Sequence, residues 1–184
     1  MSTDQEKSFI ATFSTQFGKP HFPGLTYGRT IKTPNMDYAP FRFESHMDVS
    51  NYLFLKPEVP ANSLTFYFRC LDDYYTIYIF TKGTYYYQTL SNEEDDFLNP
   101  HVPHEGDQTT FNLLSKNGKV ITLDDLATDT PTIRIRTRGG KVLQEGRSRR
   151  PYDPVVGTAV RLDSPSNAAV LDFKLNILQR NAPY

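Results

Sequence analysis

The sequence has one cysteine, no tryptophan and no long hydrophobic run, and two of these shortages exclude whole classes of structure. Because Cys70 is the only cysteine, an intramolecular disulfide and a cluster of thiolate metal ligands are both excluded. No run of about 18 apolar residues occurs, so the sequence predicts no membrane-spanning helix. The formal net charge is -1, which removes any general electrostatic attraction to nucleic acid or to an anionic membrane.

The features of an exported protein are also missing. The first residues, "MSTDQEKSFIATF", contain no basic segment followed by an apolar one, so they do not resemble a secretory signal. Asn-x-Ser/Thr glycosylation sites are absent from the sequence. We therefore expect a soluble protein in the cytoplasm, where a lone cysteine stays reduced.

The sequence is rich in aromatic residues, with 13 Phe and 12 Tyr. Its 13 Pro and 10 Gly divide the aromatic-rich stretches into short segments. Aromatic residues favour strands, and no amphipathic stretch of helical length is present. The clearest element is a hairpin in which "SLTFYFRC" and "YYTIYIFT" flank a short acidic turn, followed by a second tight turn at Lys82 and Gly83. These patterns predict an all-β fold.

The whole chain, residues 1–184, is predicted to be a single β domain. Residues 1–40 contain several prolines and glycines and are expected to form an irregular arm, with at most a short edge strand near residues 25–31. Residues 91–108 lack periodicity and are predicted to be a long loop. A second long connection is expected over residues 146–158.

One strand pattern occurs three times, beginning at Thr76, Thr110 and Thr132. Each copy has a threonine, then two apolar residues spaced by one position, a basic residue and a nearby glycine. A single hairpin cannot bury its apolar face, whereas several hairpins around one centre can. The pattern therefore predicts a common core formed by the inward residues of the three copies, namely Ile77, Ile79, Phe111, Leu113, Ile133 and Ile135.

The stretch "TIRIRTRGGKVLQEG", followed by "TAVRLDS" and "LDFKLNIL", resembles one lobe of a β-trefoil, and "YTIYIFTKGTYYYQTL" leading to "TTFNLL" is similar. The resemblance covers residues 41–178 and implies a closed barrel of hairpins with a lectin-like binding function. The copies are unequally spaced, and a chain without tryptophan lacks the Gln-x-Trp signature of ricin-type lectins. A jelly roll or another antiparallel β-sandwich fits the same strands.

The segment "HVPHEGD" suggests a metal site because it places His101, His104 and Asp107 close together. Imidazole and carboxylate groups bind divalent ions such as zinc or nickel. The prolines of this segment preclude a helix, and ligands from one loop rarely form a tetrahedron. A solvated acidic loop is the alternative interpretation.

Arg134, Arg136 and Arg138 are predicted to lie on one face of a strand, opposite Ile133 and Ile135. Such a stripe can bind phosphate, a sulfated sugar or an acidic protein surface. The alternative is a solvated face balanced by acidic loops of the same molecule, in agreement with the near-zero net charge. Nucleic acid is not the favoured partner, because its strong binders have a basic domain overall.

Tyr85, Tyr86 and Tyr87 follow the second tight turn, and strand alternation places Tyr86 on the face opposite its two neighbours. Exposed tyrosine suits contact with sugars or proteins. Tyrosine is also an ordinary half-buried strand residue, which is the competing interpretation.

The leading hypothesis is a non-enzymatic binding module with lectin-like carbohydrate recognition, because no phosphate loop, nucleophile elbow or metalloprotease motif is present. No cofactor is expected. The alternative is an interaction or self-assembling protein, such as an inhibitor, a toxin component or a homo-oligomer, that uses the arginine stripe against acidic loops. A metal-dependent enzyme built around His101 and His104 is the third hypothesis.

Overall fold

A computed structural model of the chain describes residues 3–34, 46–59, 64–81, 84–91, 97–102, 106, 108–146, 157–162 and 167–183. The side chains of residues 33, 34, 46, 47, 81 and 84–87 are outside this description. The elements, in chain order, are α1 (Asp4–Lys7), β1 (Phe9–Ser14), β2 (Lys19–His21), α2 (Pro23–Tyr27), β3 (Lys32–Pro34), β4 (His46–Asp48), β5 (Phe54–Lys56), β6 (Thr65–Leu71), β7 (Tyr74–Thr81), β8 (Thr84–Ser91), β9 (Asn99–His101), β10 (Thr110–Leu114), β11 (Val120–Ile121), a 3₁₀ turn (Leu123–Asp125), β12 (Thr132–Thr137), β13 (Gln144–Gly146), β14 (Thr158–Arg161) and β15 (Phe173–Arg180).

Six of the strands in the described part of the chain close into an antiparallel barrel, in the order β1, β6, β7, β10, β12 and β15. The barrel closes because β7 pairs with β10 in addition to β6 and β8, and because β15 pairs with both β12 and β1. The predicted all-β class and the predicted closed barrel are therefore confirmed. Because this sheet is closed, it is not one of the two open sheets of a β-sandwich, which was the alternative fold for the same strands.

Alternate residues of the barrel strands form the core, as the period of two predicts. The six inward residues of the three sequence copies are all at most 2% exposed, which confirms that they share one core. The copies occupy β7, β10 and β12, which are neighbours in the barrel. Stacked phenylalanine pairs fill the opposite wall, with ring centroids 4.5 Å apart between Phe9 and Phe68 and between Phe13 and Phe66.

A four-stranded sheet, in the order β13, β14, β5 and β2, packs between the barrel core and a second apolar cluster. In β5, Leu55 belongs to the barrel core and Phe54 belongs to the second cluster. In β14, Val160 and Ala159 divide in the same way. β5 and β14 are therefore apolar on both faces, and their sequences show no alternation of apolar and polar residues.

The N-terminal segment differs from its prediction of an irregular arm. Residues 9–14 form β1, which lies between β15 and β6 in the barrel wall. The prediction failed because the prolines and glycines that suggested irregularity lie after this strand. The edge strand expected near residues 25–31 is also wrong, because α2 occupies residues 23–27, with Pro23 in its first turn and Gly28 ending it at a φ of 63°.

The predicted loop over residues 91–108 contains a strand. β9 pairs with β8 at the end of the large sheet, an edge position that tolerates Pro100. Phe97 and Leu98 are buried just before β9. The predicted turn at Lys82 and Gly83 and most of the connection at residues 146–158 lie outside the described residues. In the described part of the chain, no helix has the length and apolar character that crossing a membrane requires.

Candidate functional site

The outer surface of the barrel carries a row of side chains that crosses five strands. Cross-strand pairing places Ile10 opposite Tyr67, Tyr67 opposite Tyr78, Tyr78 opposite Thr89, and Thr89 opposite His101. These residues face outward because the neighbours of Tyr67 and Tyr78 along their strands point into the core. We refer to these five residues as the outer row.

Aromatic rings are concentrated at the middle of the outer row. The Tyr67 and Tyr78 ring centroids are 5.8 Å apart at an interplanar angle of 29°, and the Tyr67 and Phe80 centroids are 6.3 Å apart. Tyr67 is buried, whereas Tyr78 and Phe80 are half-buried and keep part of their surface in contact with solvent. We call Tyr67, Tyr78 and Phe80 the outer aromatic cluster.

The predicted tyrosine run lies beside this cluster. The register of β7 and β8 pairs Thr81 with Thr84 and Ile79 with Gln88, so residues 85–87 run opposite the single residue Phe80. This mismatch is a bulge, a feature that is enriched beside functional sites because it redirects side chains. The backbones of Tyr85, Tyr86 and Tyr87 therefore pass next to the outer aromatic cluster, although their side-chain directions lie outside the described residues.

The arginine stripe lies on the outer face of the barrel near the opposite end of β7. The Arg134 Nε atom is 2.8 Å from the Asp172 carboxylate, and Arg136 donates a hydrogen bond to the Asn112 side chain at 3.2 Å. The Arg138 guanidinium lies 4.4 Å from the centre of the Tyr74 ring. All three arginines therefore have contacts within the molecule, although only Arg134 contacts a carboxylate.

The structure does not combine the tyrosine run and the arginine stripe into one site. Arg138 packs on Tyr74, which is the first residue of β7, whereas the tyrosine run passes Phe80, six positions later. At the rise of an extended strand, Tyr74 and Phe80 are about 20 Å apart. A ligand of one or two sugar rings reaches only one of them.

The predicted metal ligands are only partly described. His101 is half-buried in β9, and its Nδ1 atom donates to the Val102 carbonyl at 3.0 Å. His104 and Asp107 lie outside the described residues, so the metal site stays a prediction. Within the described ranges, no group of three His, Cys, Asp or Glu residues is placed to hold a metal ion.

Cys70 is buried in the core and belongs to a hydrogen-bonded network at the end of the barrel. Its thiol donates to the Asp72 carbonyl at 3.2 Å, and its backbone amide donates to the Ser8 hydroxyl at 2.9 Å. Beside it, the Tyr75 hydroxyl donates to the Lys7 carbonyl and accepts from the Leu123 amide. Burial raises the pKa of the Tyr75 phenol above its ordinary range, so the hydroxyl stays protonated at neutral pH and keeps donating to the Lys7 carbonyl.

The Cys70 thiol is expected to resist alkylation in the folded protein. Burial raises its pKa to about 11, which lowers the thiolate fraction at pH 8 by roughly 100-fold relative to an exposed cysteine. Maleimide labelling followed by mass spectrometry should therefore be at least about 100-fold slower in buffer than in concentrated urea. Equal labelling rates in the two solvents would contradict the burial of this side chain.

The sequence interpretation did not single out the aromatic residues of the candidate site that lie on β6 and β7. Tyr67 alternates with Phe66 and Phe68 in "TFYFRC", and Tyr78 alternates with Ile77 and Ile79. The same period of two that identified the core therefore also placed both tyrosines on the outer face. Their closeness to residues 85–87 depends on the bulge, which the sequence did not predict.

The outer aromatic cluster must be interpreted from its own chemistry, because similarity to known proteins adds nothing to it. No family model matches the chain, no curated protein matches it, and no solved structure matches it.

Proposed function

We propose that the chain is a non-enzymatic binding module that recognises carbohydrate through the outer aromatic cluster and the adjoining tyrosine run of β8. The observation that carries the proposal is the alignment of Tyr67, Tyr78 and Phe80 on the outside of the barrel beside the bulge at residues 85–87. Tyr78 and Phe80 keep part of their ring surface in contact with solvent, and apolar surface grouped in one place on a protein exterior suggests a contact surface.

The chemistry of the cluster suits a sugar. A pyranose ring has an apolar face of C–H groups that packs on an aromatic ring, and its hydroxyls require nearby hydrogen-bonding groups. Tyrosine supplies both an apolar ring and a hydroxyl. Thr65 and Thr76 flank the cluster on the outer faces of β6 and β7 and are partly exposed, so further hydroxyl groups are present beside the rings.

The platform is also rigid, which favours binding. Tyr67 and Tyr78 belong to the central strands of a closed barrel whose inner residues are almost completely buried. Side chains held by regular strands lose little conformational freedom when a ligand binds, so less of the interaction energy is spent on ordering.

We also infer a trefoil-like organisation for this module. Three pairs of barrel strands, β1 with β6, β7 with β10, and β12 with β15, each enclose further strands in the chain. The enclosed strands are β2 to β5, then β8 and β9, then β13 and β14. In this interpretation Thr76 and Thr110 lie in the first and last barrel strands of one unit, and Thr132 begins the first barrel strand of the next unit, which explains their unequal spacing.

The proposal predicts that Tyr78→Ala weakens glycan binding about tenfold, since one stacking ring contributes on the order of 1.4 kcal/mol. Ligands are first identified on a glycan array, and affinities are then measured by isothermal titration calorimetry. Tyr74→Ala is the matched control, because Tyr74 is a half-buried tyrosine on the same strand at the arginine-stripe end. Absence of any glycan signal at high protein concentration, or equal losses in both variants, would contradict the proposal.

An assembly or interaction protein remains the second candidate function, with the arginine stripe as its contact surface. We rank it lower because Arg134, Arg136 and Arg138 already contact Asp172, Asn112 and Tyr74 within the molecule. A charge-driven association weakens with ionic strength, so sedimentation at low and high salt distinguishes it from carbohydrate binding.

A further inference from the structure

We propose that Asn117 is a site of spontaneous deamidation, and that opening of the turn between β10 and β11 sets its rate. This inference is independent of the proposed carbohydrate function. The sequence contains a single Asn-Gly pair, Asn117-Gly118, and this pair lies at the tip of the turn. Both residues are exposed, and a Cβ atom at Gly118 would meet no described atom within 4 Å beyond its chain neighbours. Solvent therefore reaches the backbone at Gly118.

The reaction consumes one water molecule and releases ammonia. The Gly118 backbone nitrogen loses its proton to hydroxide and forms a bond to the side-chain carbonyl carbon of Asn117. The bond from that carbon to the side-chain nitrogen breaks, and the nitrogen takes up a proton from water and leaves as ammonia. Water then opens the resulting five-membered succinimide at either carbonyl, which gives aspartate or isoaspartate. Glycine favours ring closure because it has no side chain to obstruct its nitrogen.

The folded turn holds the reacting atoms apart. The Gly118 amide donates to the Ser115 carbonyl at 2.9 Å. The Ser115 amide donates to the Lys119 carbonyl at 2.8 Å, and the Lys119 amide donates to the Ser115 hydroxyl at 3.2 Å. With the Gly118 φ of 79°, these bonds match a type I turn followed by a left-handed residue. Asn117 then has a ψ of about 0°, so ring closure requires rotation about its Cα–C bond and loss of the Gly118–Ser115 hydrogen bond.

Opening of this turn does not require the whole barrel to unfold. β11 has two residues and lies at the end of the nine-stranded sheet, so few backbone hydrogen bonds hold the turn in place. Local opening at such an edge costs less free energy than global unfolding. Deamidation therefore proceeds in the folded protein through local opening of the β10–β11 turn.

The test incubates the full chain at neutral and at mildly alkaline pH, in buffer and in concentrated urea, and follows each asparagine by peptide mass spectrometry. We expect Asn117 to convert to aspartate and isoaspartate faster than every other asparagine. Its conversion should be at least about tenfold slower in buffer than in urea, because the turn must first open. The rate should rise with pH, since the attacking nitrogen must lose its proton.

Two variants distinguish local opening from global unfolding. Ser115→Ala removes the hydroxyl that accepts from the Lys119 amide, so we expect the rate in buffer to rise about three- to tenfold and the rate in urea to stay unchanged. Phe13→Leu weakens the barrel core at β1, a strand that pairs with neither β10 nor β11. We expect Phe13→Leu to leave both rates unchanged.

A second turn provides a matched comparison within the same molecule. After β12, the Gly140 amide donates to the Thr137 carbonyl at 2.9 Å and the Lys141 amide donates to the Thr137 hydroxyl at 3.2 Å, as in the first turn. Gly139 occupies the position of Asn117, and a Cβ atom there would make only an ordinary contact at 3.8 Å. Gly139→Asn is therefore expected to create a second deamidation site with the same slowing in buffer. Equal rates at residue 139 in buffer and in urea would contradict protection by these bonds.

The two products have different effects on the turn. Isoaspartate adds one carbon to the main chain, so the Gly118 amide no longer meets the Ser115 carbonyl and the turn no longer supports β11. We expect faster hydrogen exchange over residues 115–126 in the isoaspartate form. Asn117→Asp is the matched control, because it adds the negative charge without the extra carbon and should keep the exchange rates of the unmodified chain.

Three further results would contradict the proposal. Faster conversion of another asparagine in urea would overturn the assignment of Asn117. Equal rates for Asn117 in buffer and in urea would show that the turn gives no protection. An acceleration by Phe13→Leu as large as that by Ser115→Ala would show that global unfolding controls the rate.

Discussion

Replacing Phe9 with alanine is expected to lower the free energy of unfolding by about 3–5 kcal/mol, a large part of the stability of a domain of this size. Phe9 is fully buried, its ring stacks on Phe68 with centroids 4.5 Å apart, and it meets the Tyr75 ring edge-on at 5.7 Å. Alanine removes the ring and leaves a cavity between β1 and β6. Because the barrel is closed, these two strands cannot approach each other to fill the cavity. Urea unfolding followed by circular dichroism measures the change.

The control for Phe9→Ala is Leu25→Ala, which removes an apolar side chain that is 53% exposed. We expect this control to change the free energy of unfolding by less than about 0.5 kcal/mol. Phe9→Leu should cost about 1–2 kcal/mol, and it keeps the test informative if the alanine variant does not fold. Equal stabilities for Phe9→Ala and Leu25→Ala would show that β1 is not a barrel strand.

Replacing Gly157 with alanine is expected to lower the free energy of unfolding by about 2–5 kcal/mol, the second large effect. Gly157 has a φ of 92°, which side chains rarely adopt. A Cβ atom at Gly157 would also overlap the carbonyl oxygen of Leu55 in β5, and the overlapping atom belongs to the backbone. The strand is held on both sides by β14 and β2, so it has little freedom to move away.

Gly140→Ala separates the two causes of this destabilisation. Gly140 has nearly the same φ, 93°, and a Cβ atom there would have no neighbour within 4 Å. We expect this variant to cost only about 1–2 kcal/mol, from backbone strain alone. Urea unfolding gives the loss of unfolding free energy for each variant. The difference between the two losses therefore measures the cost of the steric overlap between residue 157 and β5. A Gly140→Ala loss as large as that of Gly157→Ala would mean that the close approach contributes nothing.

The strands that the sequence predicts well are those with one apolar face. In β7, buried residues such as Ile77 alternate with partly exposed ones, and β6 follows the same pattern except at Tyr67, which is buried on the outer face, so local sequence contains most of the signal. β10 departs from this pattern because all five of its residues are buried. It was still predicted, since it belongs to the set of three sequence copies.

The elements that were missed lack such a local signal. β9 has three residues and contains a proline, so it does not resemble a strand by composition. It is a strand because β8 pairs with its backbone. β1 has clear alternation in "FIATFS", but it was assigned to an arm because the segment after it contains glycines and prolines.

The candidate site was predicted only in its parts. The sequence identified the tyrosines at residues 85–87 and the arginines from Arg134 to Arg138 as contact residues. Their positions relative to one another depend on the strand order of the barrel, which separates them along β7. The outer aromatic cluster became visible only when β6, β7 and β8 were seen in register.

The sequence by itself determined the all-β class and the inward face of the three repeated strands, since both follow from alternation within a few residues. The tertiary structure decided between the closed barrel and the β-sandwich that the sequence had left open, and it showed that β1 is needed for closure and which outward side chains become neighbours. The physical reason is that pairing between distant strands depends on backbone hydrogen bonds, which every sequence offers equally. Residues as far apart as Ile10, Tyr78 and His101 can therefore be brought into one row without a local sequence pattern that predicts it.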